Sequence, residues 1–317
     1  MSRMIKLIHN EQVKIYTRKS TWLMYLILAG LIFTFAFTTN YYGVPNENYQ
    51  GDNWRQELKE ENQKLTKEME KDEFAASNNP YLIEKNNYYL EQDIQPAAYD
   101  AWQFVGENAG LLMVVSLLVI IIAAGIVANE FRWGTIKLLL IRPIKRSGIL
   151  LSKYIAVLLF ALYTLMFLFI TSWLIGAIFF GVSDIDATIV KDAKDGFTSI
   201  PLIKDIFTNY SFRLVDLLMM TTLAFMISTV FRNSSLAIGV SLFLLMGGSS
   251  IVQMLADKEW VKYILFANTD LRQYFGGNSP MIEGMTLGFS ITVLIVYYVV
   301  FILTSWIVFM KRDVAGQ

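Results

Sequence analysis

The groups that could do chemistry in this sequence are few, and their placement is informative. There is no cysteine and one histidine, His9, which leaves no thiolate nucleophile, no disulfide and no multi-histidine metal site. No G-x-x-x-x-G-K-[ST], H-E-x-x-H or G-x-S-x-G element occurs, so neither Walker-type ATP binding nor those hydrolytic chemistries is expected. Inside the long apolar stretches the ionisable groups other than tyrosine are Arg213 and Asp216, one helical turn apart. An intramembrane ion pair invites a functional reading; at a helix end, snorkelling and local pairing account for the same residues. The paired intramembrane carboxylates of an ion-coupled pump are lacking. The chain is therefore expected to be a non-enzyme without metal or cofactor, drawing any energy for movement from elsewhere.

Charge of another kind gathers in Asn129–Tyr154 (NEFRWGTIKLLLIRPIKRSGILLSKY), where Arg132, Lys137, Arg142, Lys145, Arg146 and Lys153 face one acid, Glu130. A basic connector between membrane-length segments is expected on the cytoplasmic side. Phe131, Thr135 and Leu138 form one helical stripe, and Trp133, Ile136 and Leu140 another, which predicts a short sticky helix over 129–142. Pro143 disfavours helical geometry at Arg142 and should end it, and Ser147 is placed to cap the next segment. The segment reads as a docking element for a soluble partner.

The elements that must position these residues follow from hydropathy. The 317 residues are 55% hydrophobic and 17% charged, against about a quarter charged in an ordinary soluble chain. The deficit falls in blocks, as in a polytopic all-α membrane protein. Six spans are predicted, at Thr21–Thr39, Asn108–Ala128, within Tyr154–Ser183, Phe212–Phe231, Asn233–Ala256 and Gly284–Met310. Residues 1–19 read as an amphipathic interfacial helix, 20–39 as the first span, 40–107 as an outer insertion, and 108–317 as the core carrying spans two to six.

Trp54–Phe74 in the insertion has Glu/Lys pairs and a sparse apolar line at Trp54, Leu58, Leu65 and Met69, which predicts a solvated helix. With tyrosines 81, 88, 89 and 99 nearby, two helices are expected to make a small outer subdomain. It is too short to bury a large core, so it should lean on the membrane or a second copy. Asp184–Tyr210 reads as a polar outer loop, and Asp257–Glu283 as an outer piece anchored by Trp260, Tyr263, Phe266, Tyr274 and Phe275. Gly239, Gly247 and Gly248 in the fifth span permit close helix approach, either between subunits or within one.

Charge sets the orientation. The segments assigned inside hold fourteen Lys and Arg against three acids, and those assigned outside hold thirteen against twenty-four. Short basic loops stay cytoplasmic, so both termini are expected inside. Net charge is zero, and overall charge suggests no nucleic-acid partner.

Glu130–Tyr154 (EFRWGTIKLLLIRPIKRSGILLSKY) closely resembles the E-x-x-x-G-T-x-x-x-L-x-x-x-P-x-x-R-x-x-x-x-x-x-K pattern of ABC-2-type transporter permeases. Leu223–Leu236 (LAFMISTVFRNSSL) looks like that family's entry to its fifth helix, with an F-R-x-S stretch. Span count, interfacial N-terminal helix and the missing ATPase domain agree, so the resemblance covers almost the whole chain. The long insertion departs from the minimal pattern and is similar to that of permeases in peptide-antibiotic resistance and lantibiotic-immunity exporters. The resemblance implies a bacterial plasma-membrane half-transporter that pairs with a second permease copy or paralogue. Two separate ATP-binding subunits would carry ATP and Mg. Glu130, Phe131, Arg132, Trp133, Gly134 and Thr135 would form the coupling helix resting in an ATPase groove. An amphipathic peptide, drug or lipid-like substrate is the expectation. A ligand-sensing permease, a membrane-embedded enzyme and a non-transporting scaffold are the other readings, the enzyme lacking polar catalytic groups at matching depths.

Overall fold

The computed structural model describes residues 3–136, 144–183, 187–193, 196–275 and 279–311. Among the described residues, six helices are long and apolar enough to cross a membrane, the architecture of an all-α membrane protein. Helix α1 (Arg3–Tyr16) leads into α2 (Lys19–Tyr42), the first span. The insertion folds as α3 (Trp54–Met69) and α4 (Glu73–Glu91). The second span combines α5 (Ala101–Glu107), a helical turn at Asn108–Leu111 and α6 (Leu112–Arg132). Then come α7 (Arg146–Phe180), strands β1 (Thr188–Ala193) and β2 (Gly196–Pro201), α8 (Leu202–Phe231), α9 (Ser234–Met254) and α10 (Leu287–Lys311).

The second span is the axis of the bundle. In its apolar stretch 78% of residues are buried, against 22% in the first, fifth and sixth spans, which therefore form the outer wall. Small residues make this possible. Ala123, Ala124 and Ala128 of α6 are buried, and they let the α8 hydroxyl of Ser228 reach the α6 backbone. Ser228 donates to the Ala124 carbonyl at 2.6 Å and accepts from the Ala128 N–H at 3.2 Å. This pins the two central helices where α6 meets the basic segment.

Several helices outrun their predicted apolar lengths. Helix α7 is a continuous 35 residues beginning at Arg146, not near Tyr154, so Lys153 lies within it. Its cap position is Lys145, with no capping side-chain bond, which corrects the expectation that Ser147 caps it. Helix α8 runs back to Leu202, ten residues before the predicted entry at Phe212. The polar loop predicted over 184–210 accordingly contains an antiparallel hairpin, with Val190 opposite Ser199 and Asp192 opposite Phe197.

That hairpin is what the insertion leans on. Trp54, Leu58, Tyr89 and Val190 form one small core, with Phe197 packed against it. Tyr81 donates to Asp192 at 2.9 Å, and the Val190 N–H donates to the Tyr89 hydroxyl at 3.3 Å. The expected support from membrane or a second copy is thus supplied by the chain itself. The solvated helix predicted over 54–74 ends at Met69, and α4 starts afresh at Glu73 behind an Asp72 cap.

A single carboxylate fixes the start of the second span. Asp100 accepts from the Trp102 and Gln103 N–H groups at 2.9 and 3.0 Å, capping α5. Its other oxygen accepts from the Ser183 N–H and hydroxyl at 3.1 and 2.8 Å. Asp100→Ala therefore loses a cap, costing about 1–2 kcal/mol, and a tie between the ends of α5 and α7. A lowered thermal midpoint in detergent is expected, restored only in part in Asp100→Asn, whose single amide oxygen keeps the cap while its NH2 cannot accept from the Ser183 N–H; an unchanged midpoint for the alanine variant would remove Asp100 from this role.

Candidate functional site

At the end of the bundle that carries α1, four charged side chains close a ring. The Lys153 ammonium, fully buried, donates to Glu11 at 2.8 Å and to Glu130 at 3.0 Å. Lys14 donates to the same two acids, at 2.9 Å to Glu11 and 2.8 Å to Glu130. Two cations and two anions balance, and each acid is held by both lysines. The Thr135 hydroxyl bonds the second oxygen of Glu130, so the chain just past α6 is tied into the ring. Nearby, Gln12 donates to the Ala156 carbonyl at 2.7 Å, a second strap from α1 to α7.

Local structure explains how the ring forms. Glu11 and Lys14 are three residues apart on α1 and so share one face. Glu130 is in the last turn of α6, and Lys153 is two turns into α7. A buried lysine beside apolar helices would be costly alone; here its charge is met by two carboxylates. Burial would lower the Lys14 pKa, but the bonds from Glu130 and Glu11 outweigh it and hold the ammonium above its ordinary value. A raised cation stabilises fully below the ordinary lysine range and weakens only as pH rises above it, so the Lys14 contribution persists through neutral pH. The space among Glu11, Lys14, Asn129, Glu130 and Trp133 is about 10 Å³, at most one water's worth. The ring is a packed joint, not a ligand pocket.

The predicted coupling residues are distributed around this joint. Glu130, Phe131 and Arg132 finish α6, and Trp133 is its C-cap, so a separate short helix does not begin at 129. Glu130 accordingly sits at a helix C-terminus, where the dipole gives an acid no help; its partners are the two lysines and Thr135. Phe131 is half-buried, with the Arg232 guanidinium 4.1 Å from its ring centroid and Phe309 at 6.5 Å. Trp133 remains 56% exposed, flanked by Arg18 at 5.6 Å and Arg132 at 6.0 Å. Gly134 takes φ +69°, a left-handed value suited to glycine, which turns the chain sharply away from α6. The remainder of the predicted helix, 137–142, and Pro143 lie outside the described residues.

The other predicted positions fall elsewhere. Gly248 abuts Phe266, whose ring atoms would be 2.4 Å from an added Cβ, whereas Gly239 and Gly247 face open space. Gly248 thus serves packing within the chain. Arg213 and Asp216 line a cavity at the opposite end of the bundle, but they are not among the ion pairs of the described residues. Asp216 interacts with the Thr269 side chain instead.

Glu11, Lys14 and Lys153 were invisible as partners in the sequence, which placed ionisable groups in the spans only at 213 and 216. The signal was nevertheless present. Glu11 and Glu130 are lone acids in the two most basic segments, and a lone acid amid cations is a candidate for an internal pair.

Comparison with known proteins agrees with the membrane architecture. A Bacillus subtilis (strain 168) protein named "Uncharacterized protein YhcI" is 45% identical over 317 residues, 99% of this chain and 100% of that protein. From the same organism, "Uncharacterized membrane protein YdbK" is 36% identical over 213 residues, 67% of this chain and 82% of that protein. A family profile described as "Protein of unknown function (DUF2705)" matches residues 74–315. With three quarters of its length matched, the chain belongs to the DUF2705 family.

Proposed function

We propose that this chain is the membrane-spanning subunit of an ATP-driven ABC-2-type exporter, working with a separate ATP-binding subunit. The observation that carries the reading is the pairing of Glu130 with Lys153 at 3.0 Å across 23 residues. These are the first and last fixed positions of the ABC-2 pattern as it falls on this sequence, and Thr135, also in that pattern, bonds the same acid. The F-R-x-S stretch enters through Arg232, which lies over Phe131. The piece at 130–135, tied to α1 and α7 through one balanced ring, moves as a unit with α1, α6 and α7, as a transmitter must. Trp133 stands out from it as an anchor for a partner, since aromatic residues dominate buried interfaces.

In this reading the joint faces the cytoplasm of a bacterial cell, both termini lie inside, and the α3–α4 insertion lies outside. Two copies of the ATPase, binding ATP and Mg, drive a pair of permeases. The cargo is an amphipathic peptide, drug or lipid-like molecule. The name of YdbK as a membrane protein and the six apolar helices support placement in the membrane. The competing reading is a scaffold or sensor in an ABC-type complex. Copurification with an ATPase whose hydrolysis is stimulated by cargo supports transport; recovery of the ATPase without any such stimulation supports the scaffold.

Orientation has its own test, because the chain is free of cysteine. Lys64→Cys is expected to react with an impermeant thiol reagent in intact cells, while Lys145→Cys reacts only after lysis. The opposite pattern would invert the topology.

A further inference from the structure

The end of the bundle opposite the ionic joint contains a cavity of about 200 Å³. Leu112, Met113, Met220 and Leu245 give it an apolar wall, and Arg213, Asp216, Asp270 and Arg272 a charged rim. A second cavity of about 470 Å³ shares Phe266, Asp270 and Arg272 with it. The two thus adjoin across one charged edge.

The four charges are not equally engaged. Arg272 donates to Asp270 twice, at 2.8 and 2.6 Å. Burial would raise the Asp270 carboxyl, but the bonds and charge of Arg272 hold it below the ordinary carboxylate range. That pair is satisfied internally. Arg213, by contrast, donates no hydrogen bond among the described residues, and its Nε is buried without a partner. Asp216, one turn on, faces the cavity beside Thr269 rather than closing on Arg213. A guanidinium that is half-buried and unbonded favours an acceptor from outside the chain, because leaving buried donors unmet is costly. Guanidinium matches the oxygens of phosphate or carboxylate. A purely anionic ligand would also meet Asp216 and Asp270, so a cation adjoining its anionic group suits the rim better.

We propose that this cavity binds a zwitterionic amphiphile, with its anionic oxygens on Arg213, its ammonium toward Asp216, and its apolar tail along Leu112, Met113, Met220 and Leu245. The site requires only that the chain be membrane-embedded. It stands or falls separately from the ATPase reading, since it lies at the other end of the molecule and its test contains no ATPase.

Binding to the purified full-length protein in detergent is measured by native mass spectrometry with dihexanoyl phosphatidylethanolamine as probe. Dihexanoyl phosphatidylglycerol, which lacks the ammonium, and phosphoethanolamine, which lacks the tails, are the comparators. The ethanolamine lipid is expected to bind at least tenfold more tightly than either. Arg213→Gln should weaken it tenfold or more, with Arg213→Lys intermediate, and Asp216→Asn should erase the preference over the glycerol lipid. Thermal midpoints identify variants that have lost their fold, and for those Met113→Ser, on the apolar wall, supplies a second reading by weakening the lipid but not phosphoethanolamine. Wild-type affinity in folded Arg213→Gln, no preference for the ethanolamine headgroup, or equal binding of the tail-less probe would overturn the proposal.

Discussion

Lys153→Met should destabilise the protein by about 3–5 kcal/mol, the cost of removing one partner from a buried ionic cluster. The side chain is nearly isosteric, so the loss is electrostatic. Glu11 and Glu130 would then share Lys14 alone, and their repulsion would release α1 from the joint. The double variant Glu11→Gln/Lys153→Met leaves one balanced pair, Lys14 with Glu130 at 2.8 Å, and should regain a substantial part of the stability. Thermal unfolding in detergent reads both. If the double variant were no better than Lys153→Met, the ring would owe its strength to packing rather than to charge balance. If the chain works as the exporter subunit proposed above, Lys153→Met should also leave ATP hydrolysis running without transport, because residues 130–135 are no longer fixed to α1 and α7.

The two aromatics beside the joint should separate into different phenotypes. Trp133→Ala is expected to weaken ATPase capture by about 2 kcal/mol or more, roughly thirtyfold, as for an exposed aromatic anchor. It should barely change the fold, since Trp133 is more than half exposed. Phe131→Ala should do the reverse. Its ring packs on Arg232 and Phe309, so its removal costs part of the ~3–5 kcal/mol of a core Phe→Ala change while leaving the exposed Trp133 in place. Thermal midpoints and pull-down yields decide the matter. Equal yields for Trp133→Ala and the wild type would shift the contact to another surface.

How much of this was legible in the residues depends on the physics of each part. Six apolar blocks separated by charge announce six long helices, because desolvating backbone across a membrane leaves little alternative. Their ends were less readable. Helix α7 was expected near Tyr154 because Lys153 looked like a boundary charge, and a charge met by two acids from other helices is no boundary at all. The partner Glu11 lies 142 residues away, a separation that no local pattern reports. The hairpin under the insertion escaped for a related reason. Val190 and Phe197 acquire their meaning only when Tyr89 and Trp54 arrive from before the second span.

Gly134 was read as an interior residue of a short helix, whereas its left-handed backbone marks the turn that ends α6. Residues 130–132 were assigned to a separate short helix, whereas they finish α6 and Trp133 caps it. Arg213 and Asp216 were seen as neighbours on one helix; what the sequence hid was Thr269, Asp270 and Arg272 arriving beside them from the loop before α10.

The central claim is that the surface beside the ionic joint receives an ATP-binding subunit. It is tested most directly by Arg132→Cys, exposed beside Trp133, in this cysteine-free chain, treated in membranes with a thiol-anchored photocrosslinker and analysed by mass spectrometry. The account predicts a crosslink from position 132 to a protein bearing a phosphate-binding loop, reduced by Lys153→Met and retained in Glu11→Gln/Lys153→Met. Crosslinks to lipid alone, with no nucleotide-binding protein recovered at any crosslinker length, would contradict it.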